Sequence, residues 1–336
     1  MLESSAVDDK DPVAMRRNLP KEVSWLFILI LALVAPRFLG DYEVSRLTIA
    51  LVYFVAVCGI VVISGYGGAP LLGHGAFVGL GAYVTAILMT RLSLSPLVSL
   101  ALTLPVGYIA GSVLGRIVVR MRGLYFAVAT FVFALVFPHL VKRFPSVTGG
   151  VEGIMTQPLS PPTWLPISSG EFTYYASVGV ASLVVVSVLY ALSGPGGRRL
   201  QAMRDDSLAA ETCGVSATRT TMYAFTVATT LGCIAGGLYT FAVGYVSPSS
   251  FPFDFSILLY VSAIIGGFRS IYGALIAAAF LVYVPTYVEQ INPGLSPMVY
   301  GIVVVVVIII APNGLAGLIV GASKRVRAIV ASVSSH

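Results

Sequence analysis

Long stretches without one charged side chain dominate this chain, and they leave few ways to fold it. Eight such runs stand out: 23–36, 47–90, 92–115, 123–141, 172–197, 220–253, 255–288 (broken only by Arg269) and 290–323. A helix needs about 20 mostly apolar residues to cross a hydrocarbon core. Each run but the first reaches or approaches that length, and a globule has no interior large enough to hide them all. The composition agrees: 57 % of residues are hydrophobic and 10 % charged, where a soluble domain carries roughly a quarter charged residues. The chain is read as an integral, polytopic membrane protein. Run 47–90 holds two spans around a glycine-rich break and 255–288 holds two shorter ones. This predicts ten transmembrane helices near 23–39, 45–64, 74–90, 96–115, 123–141, 174–193, 221–242, 255–267, 271–288 and 296–311, with nine or eleven as alternatives.

Lysine and arginine set the orientation. With the N-terminus inside, the cytoplasmic side collects fifteen of the 20 basic residues, among them Lys10, Arg116, Arg120, Arg204, Arg219, Arg269 and Arg325. The other side keeps five: Arg37, Arg46, Arg91, Lys142 and Arg143. The reading is N-in and C-in, with a cytoplasmic tail at 1–22, a permease domain at 23–320, an external loop at 144–173, a cytoplasmic loop at 194–220 and a tail at 321–336. Glu152 and Glu171 then lie outside. The net charge of +6 follows from this bias and calls for no nucleic-acid partner. The first apolar run reads as an uncleaved anchor, because Asp8, Asp9 and Asp11 precede it and no A-x-A site ends it.

Soluble chemistry concentrates in one place. The segment Gly194–Thr220 carries Arg198, Arg199, Arg204, Asp205, Asp206, Glu211 and Arg219 between two membrane-length runs. Leu200, Met203, Ser207 and Ala210 fall on one helical stripe, and Gly214 is a good stop, so a short helix is expected in its middle. On composition alone, an ordinary solvated loop is the competing reading. A second unusual segment, 65–81, holds seven glycines at 65, 67, 68, 73, 75, 79 and 81. Non-helical backbone survives at membrane depth only when buried in protein or lining a cavity. The segment is therefore a packing seam or part of a passage, and Gly73, His74, Gly75 and Gly79 are the candidates for bordering that passage.

Several chemistries have no residues to carry them. None of the four lysines belongs to a G-x-x-x-x-G-K-[ST] loop. The expected spans lack the acidic residues that proton or sodium relays use, Asp254 standing only at a boundary. His74, His139 and His336 show no metal-ligand spacing, and Cys58, Cys213 and Cys233 make no paired motif. No metal, catalytic site or cofactor is expected in this chain, which leaves a conduit driven from elsewhere. A self-sufficient channel or secondary carrier is the alternative.

Six motifs in order carry a family resemblance: LLGHGAFVGLGAY (71–83), GLYFAVATFVFA (123–134) with TGGVEGI (148–154), MRDDSLAAETCGV (203–215), GYVSPSSF (244–251), GGFRSIYGALIAA (266–278) and APNGLAGL (311–318). The chain resembles the LivM-type permease subunits of branched-chain amino acid ABC importers. The resemblance implies an all-α, BtuC-like or ribose-permease-like fold of about ten helices in the bacterial inner membrane. It implies four kinds of neighbour: a LivH-like second permease, two cytoplasmic ATP-binding subunits that hydrolyse ATP, a periplasmic substrate-binding protein, and membrane lipid. It assigns ATPase coupling to Arg204, Asp205, Asp206, Ala209, Ala210, Glu211 and Gly214. Glu152 and Asp254, on the opposite side, are candidate contacts for the binding protein. Arg269 and Glu152 depart from the family pattern, and relatives on the same scaffold carry urea or short amides.

Overall fold

The computed structural model describes residues 19–121, 123–162 and 166–291, together with 298, 301–302, 305–306, 309 and 314–317. Residues 1–18 of the expected tail 1–22, the expected tail 321–336 and most of the expected span 296–311 lie outside the described residues, and residues 19–22 of the first tail open a helix.

Apolar runs become helices that stop where charge, glycine or proline interrupts them. The helices α1 (Leu19–Val34), α2 (Asp41–Ile60), α3 (His74–Arg91), α4 (Pro96–Val118) and α5 (Leu124–Arg143) form the first half. A single turn, α6 (Pro145–Thr148), precedes α7 (Ser169–Ser193). Two short helices, α8 (Pro195–Asp205) and α9 (Ser207–Thr212), lead into α10 (Ala217–Val243), α11 (Phe253–Gly266) and α12 (Ile271–Ile291). Among the described residues, seven helical segments are long and apolar enough to cross a membrane. This makes the chain a multi-pass membrane protein, with fewer clear spans than the ten expected. The shortfall has physical causes. His74 and Arg91 at its two ends dilute α3, and α1, with 16 residues, is short of the usual length.

The all-α expectation needs one amendment. Two-residue strands β1 (Ile154–Met155) and β2 (Tyr245–Val246) pair antiparallel, Ile154 opposite Val246 and Met155 opposite Tyr245.

The core is built around α10, whose apolar window is 72 % buried and which packs on α2, α3 and α4. Lipid offers no hydrophobic drive between helices, so small residues must let backbones close in. On α4, Gly107 and Gly111 lie four apart and meet Thr229, Thr230 and Cys233 of α10. On the other side, a Cβ at Gly81 would collide with the Cys233 carbonyl, and one at Gly236 with the Val78 carbonyl. Hydroxyls bridge the same seams: Thr240 donates to the Ala82 carbonyl at 3.1 Å and Thr229 to the Gly107 carbonyl at 3.3 Å.

The bundle has two ends. At one, Trp25 stacks on Tyr272, and the α7–α10 connection meets the turn after α2. This is the island end. At the other, Arg91 donates to the Ser146 carbonyl at 3.0 Å, and β1 pairs with β2. This is the loop end. Arg46 lies toward the loop end, 7 % exposed. It pairs with Glu43 at 3.1 Å, and its guanidinium lies 4.3 Å from the centroid of the Tyr283 ring, fastening α2 to α12.

Candidate functional site

The glycine-rich break is where α2 stops being a regular helix. Its last turn widens into a π-helix over Val61–Tyr66, and the chain then turns through Gly68, whose φ of 72° suits glycine. The freed backbone is satisfied by side chains, as membrane depth requires. Ser64 Oγ donates to the Ala69 carbonyl at 2.9 Å and accepts from Leu71 N–H at 3.2 Å. Thr130 of α5 accepts from Leu72 N–H at 3.3 Å. Neither Ser64 nor Thr130 was singled out by sequence, although hydroxyls beside a glycine run are the available signal.

The four residues expected to border a passage sit in tight packing. Added Cβ atoms would meet the Thr130 carbonyl at Gly73, Ser256 and Phe255 at Gly75, and the Phe137 ring at Gly79. His74 is fully buried, held in a slot between Gly59 and Gly232. Its ring faces the Ala56 backbone without a well-formed hydrogen bond.

The charged island folds as two helices where sequence predicts one. Asp206 leaves helical geometry, at φ −153° and ψ 107°, and its carboxylate caps α9 by accepting from Leu208 and Ala209 N–H at 2.9 and 3.1 Å. An aspartate in this place competes with helix continuation by offering the backbone a local acceptor. The apolar stripe is correspondingly split. Leu200 and Ala210 are buried, whereas Ser207 is exposed. Gly214 takes φ 83° after α9, as a terminating glycine should.

The island is fastened to the break. Arg204 of α8 donates through Nη1 to the Gly65 carbonyl at 2.6 Å, and its aliphatic stem lies over Gly68. Leu200 packs on Gly67. Partial burial and the nearby Arg269 lower the Arg204 pKa, with Asp205 opposing. A second break joins in at 267–270, between α11 and α12. Gly267 there has φ 106°, Tyr66 donates to the Arg269 carbonyl at 3.2 Å, and Arg269 Nη2 lies 3.8 Å from Asp205 Oδ1. Gly65 is jammed against the Phe268 carbonyl, and Gly314 against Gly267. Arg269, which departs from the family pattern, thus meets Asp205 of the island. Sequence placed the two 64 positions apart without connecting them.

Two further features complete this end. Leu208 is 71 % exposed on α9, beside exposed Asp205, Asp206 and Ala209. A cavity of about 450 Å³ opens beneath the island, walled by Gly67, Gly68, Phe126, Met203, Ser207 and Thr221. Its volume is within the range of small-ligand sites.

At the loop end the structure brings together the two segments that sequence chose separately. Besides the β1–β2 pair, Tyr245 Oη donates to the Glu152 carbonyl at 2.7 Å, and Gly153, at φ 75°, lies against the Val246 carbonyl. The Glu152 and Asp254 side chains are exposed. Glu171 caps α7, accepting from Ser168 N–H at 2.9 Å.

A membrane-spanning bundle with broken helices, and a charged surface element tied to the breaks, is an architecture suited to a transport permease. The sequence profile of the family described as "Branched-chain amino acid transport system / permease component" matches residues 44–311. The chain belongs to that family. It is 30 % identical over 311 residues to the high-affinity branched-chain amino acid transport system permease protein LivM of Salmonella typhimurium, covering 86 % of this chain and 73 % of the relative. The Escherichia coli LivM protein is 29 % identical over the same shares. A probable branched-chain amino acid transport permease protein LivH of Methanocaldococcus jannaschii is 24 % identical over 271 residues, 74 % of this chain and 83 % of the relative. No solved structure matches the chain.

Proposed function

We propose that the chain is the non-enzymatic LivM-like subunit of an ATP-driven importer that carries branched-chain or similar neutral amino acids across the bacterial inner membrane. The cargo class comes from the names of its relatives. In this reading the BtuC-like bundle works beside a LivH-like second permease, two cytoplasmic ATPases that supply the energy, and a periplasmic binding protein. The island end faces the cytoplasm with both termini, and the loop end faces the periplasm. The positive-inside rule supports this orientation, since Arg120, Arg198, Arg199, Arg204, Arg219 and Arg269 gather at the island end.

One observation carries the mechanism: the Arg204–Gly65 hydrogen bond, beside the Asp205–Arg269 pair, links the island directly to both helix breaks. Exposed Leu208 with Asp205, Asp206, Ala209 and Glu211 forms the ATPase contact in this reading, with Ala210 packing α9 onto the permease and Gly214 closing it. Movement of docked α8–α9 would pull on Gly65 and residues 267–270. Discrete rearrangement of packed elements is how such a pull changes a passage. The cavity below Gly67 and Gly68 is the cytoplasmic vestibule, and Gly73, His74, Gly75 and Gly79, packed against α5, α10 and α11 beyond it, border the path that such a rearrangement opens. A neutral amino acid side chain needs no charged residue there.

The test is transport and ATPase activity in the assembled complex carrying Glu211→Ala with Gly214→Val. Uptake should fall while ATPase activity becomes independent of loaded binding protein and the permease stays inserted. Wild-type uptake would overturn the assignment. Orientation is checked by an impermeant thiol reagent in a background without Cys58, Cys213 and Cys233. Cysteines at 152 and 171 should react from the periplasmic face and one at 204 should not.

A further inference from the structure

A groove of about 840 Å³ runs along the outside of the bundle between α4, α7 and α10. Its walls are bulky and apolar, with Leu104 and Tyr108 from α4, Leu183 from α7 and Val227 from α10. It follows α10 from Arg219 to Ile234, which at 1.5 Å per residue is about 22 Å, more than half of a hydrocarbon core about 30 Å thick. Arg219 closes it at the island end. The Arg219 side chain is exposed and makes no ion pair among the described residues. Arg116 stands at the same end, also exposed, one turn beyond Ser112 of the groove wall.

A long apolar trough with positive charge at one mouth matches a molecule that is a hydrocarbon chain with an anionic head. A partner helix is the poorer fit. Helices meet in membranes through small residues, and α4 has already spent its glycine face, Gly107, Gly111 and Gly115, on α10. We propose that the groove holds an acyl chain of an anionic phospholipid, with its phosphate on Arg219 and Arg116 adding charge. The site is independent of the cargo and of the ATPase contact.

The experiment uses the assembled complex in nanodiscs of phosphatidylethanolamine, with or without phosphatidylglycerol, and a photo-crosslinking amino acid at exposed Leu183 or Tyr108. Intact-mass measurement should show a phospholipid adduct, enriched for phosphatidylglycerol. Arg219→Gln should reduce that enrichment about fivefold, the loss for one basic group at a membrane surface, and Arg116→Gln should reduce it further. Crosslinking to a protein chain would overturn the proposal in favour of a subunit interface. A lipid adduct indifferent to headgroup and to both arginines would overturn it in favour of bulk lipid.

Discussion

The family motifs gather at two ends of the molecule, the second of them contributing to both, and the two ends are built differently. At the island end, residues 71–73, 126–130, 203–210, 266–270 and Gly314 converge on the two helix breaks, joined by glycine-to-carbonyl contacts and by Arg204 and Arg269. At the loop end, 148–154 and 244–251 meet through the β1–β2 pair, one tyrosine hydroxyl and Gly153 against the Val246 carbonyl, with Ile154, Val246 and Phe251 set into the core as apolar anchors. Contacts of the first kind reach the interior backbone, so displacing the surface displaces the core. Those of the second kind join loop to loop through apolar anchors, make no charged link to the interior backbone, and leave the charged side chains in solvent. The first end is suited to transmitting force and the second to presenting a surface. This contrast separates the proposed ATPase contact from the proposed binding-protein contact.

The contrast fails first if the break is not tightly packed. Gly73→Leu would drive a side chain into the Thr130 carbonyl, where backbone cannot retreat cheaply. Overpacking of this kind costs about 1–3 kcal/mol and occasionally more, so yield of folded protein should fall together with uptake. Gly214→Ala is the control, since nothing lies within 4 Å of that position. Only its positive φ is strained, at about 1 kcal/mol. Equal thermal stability of the two variants would mean that the break has room to spare.

Arg204→Ala sharpens the comparison by cutting one link without adding bulk. A hydrogen bond from a charged donor contributes about 1.5–3 kcal/mol, so uptake should drop roughly tenfold or more while the complex still assembles. Arg204→Lys keeps the charge but loses the planar donor, and should recover only part of the activity. Unchanged uptake by the alanine variant would remove the island's proposed lever.

Much of this architecture was legible because apolar runs end where charge begins. The expected spans 74–90 and 271–288 differ from α3 and α12 by three residues or fewer at either end. Local competition was harder to read. The stripe Leu200, Met203, Ser207, Ala210 fits one helix, and only the Asp206 side chain turning back onto Leu208 and Ala209 divides it. Long-range partners left no periodic trace. The sequence marks Arg46 as an external charge, but its burial depends on Tyr283 and Tyr287 of α12, far away in sequence. The β1–β2 pair is two residues long, too short for alternation to show. The glycines at 65–81 announced a break, yet which carbonyl each one faces is decided by helices elsewhere in the chain.

At the loop end, Gly153→Ala tests whether the strand pair organises the surface. Its φ of 75° and the nearby Val246 carbonyl make alanine unfavourable by about 1–3 kcal/mol. That strain should loosen the loop and not the bundle. Proteolysis near residue 153 should increase while the main unfolding transition stays in place. A lowered transition would show that the strain passes through the apolar anchors into the core, and the two ends would then differ less than their contacts imply.

The smallest effect is expected from charge at the same surface. Glu152 and Asp254 are exposed, and Asp254 stands in the first turn of α11, where a negative charge favours the helix N-terminus; any further role needs a partner that arrives there. Exposed ion pairs contribute about 0.2–1 kcal/mol each, and reversing both charges to lysine should weaken stimulation by loaded binding protein severalfold at low salt. The effect should shrink as ionic strength rises, because the Debye length falls to about 8 Å at physiological salt. ATPase activity without binding protein should not change, since neither side chain touches the breaks. A response that is unchanged at every salt concentration would reduce both residues to loop solvation and leave docking to the exposed apolar side chains Val151 and Met155.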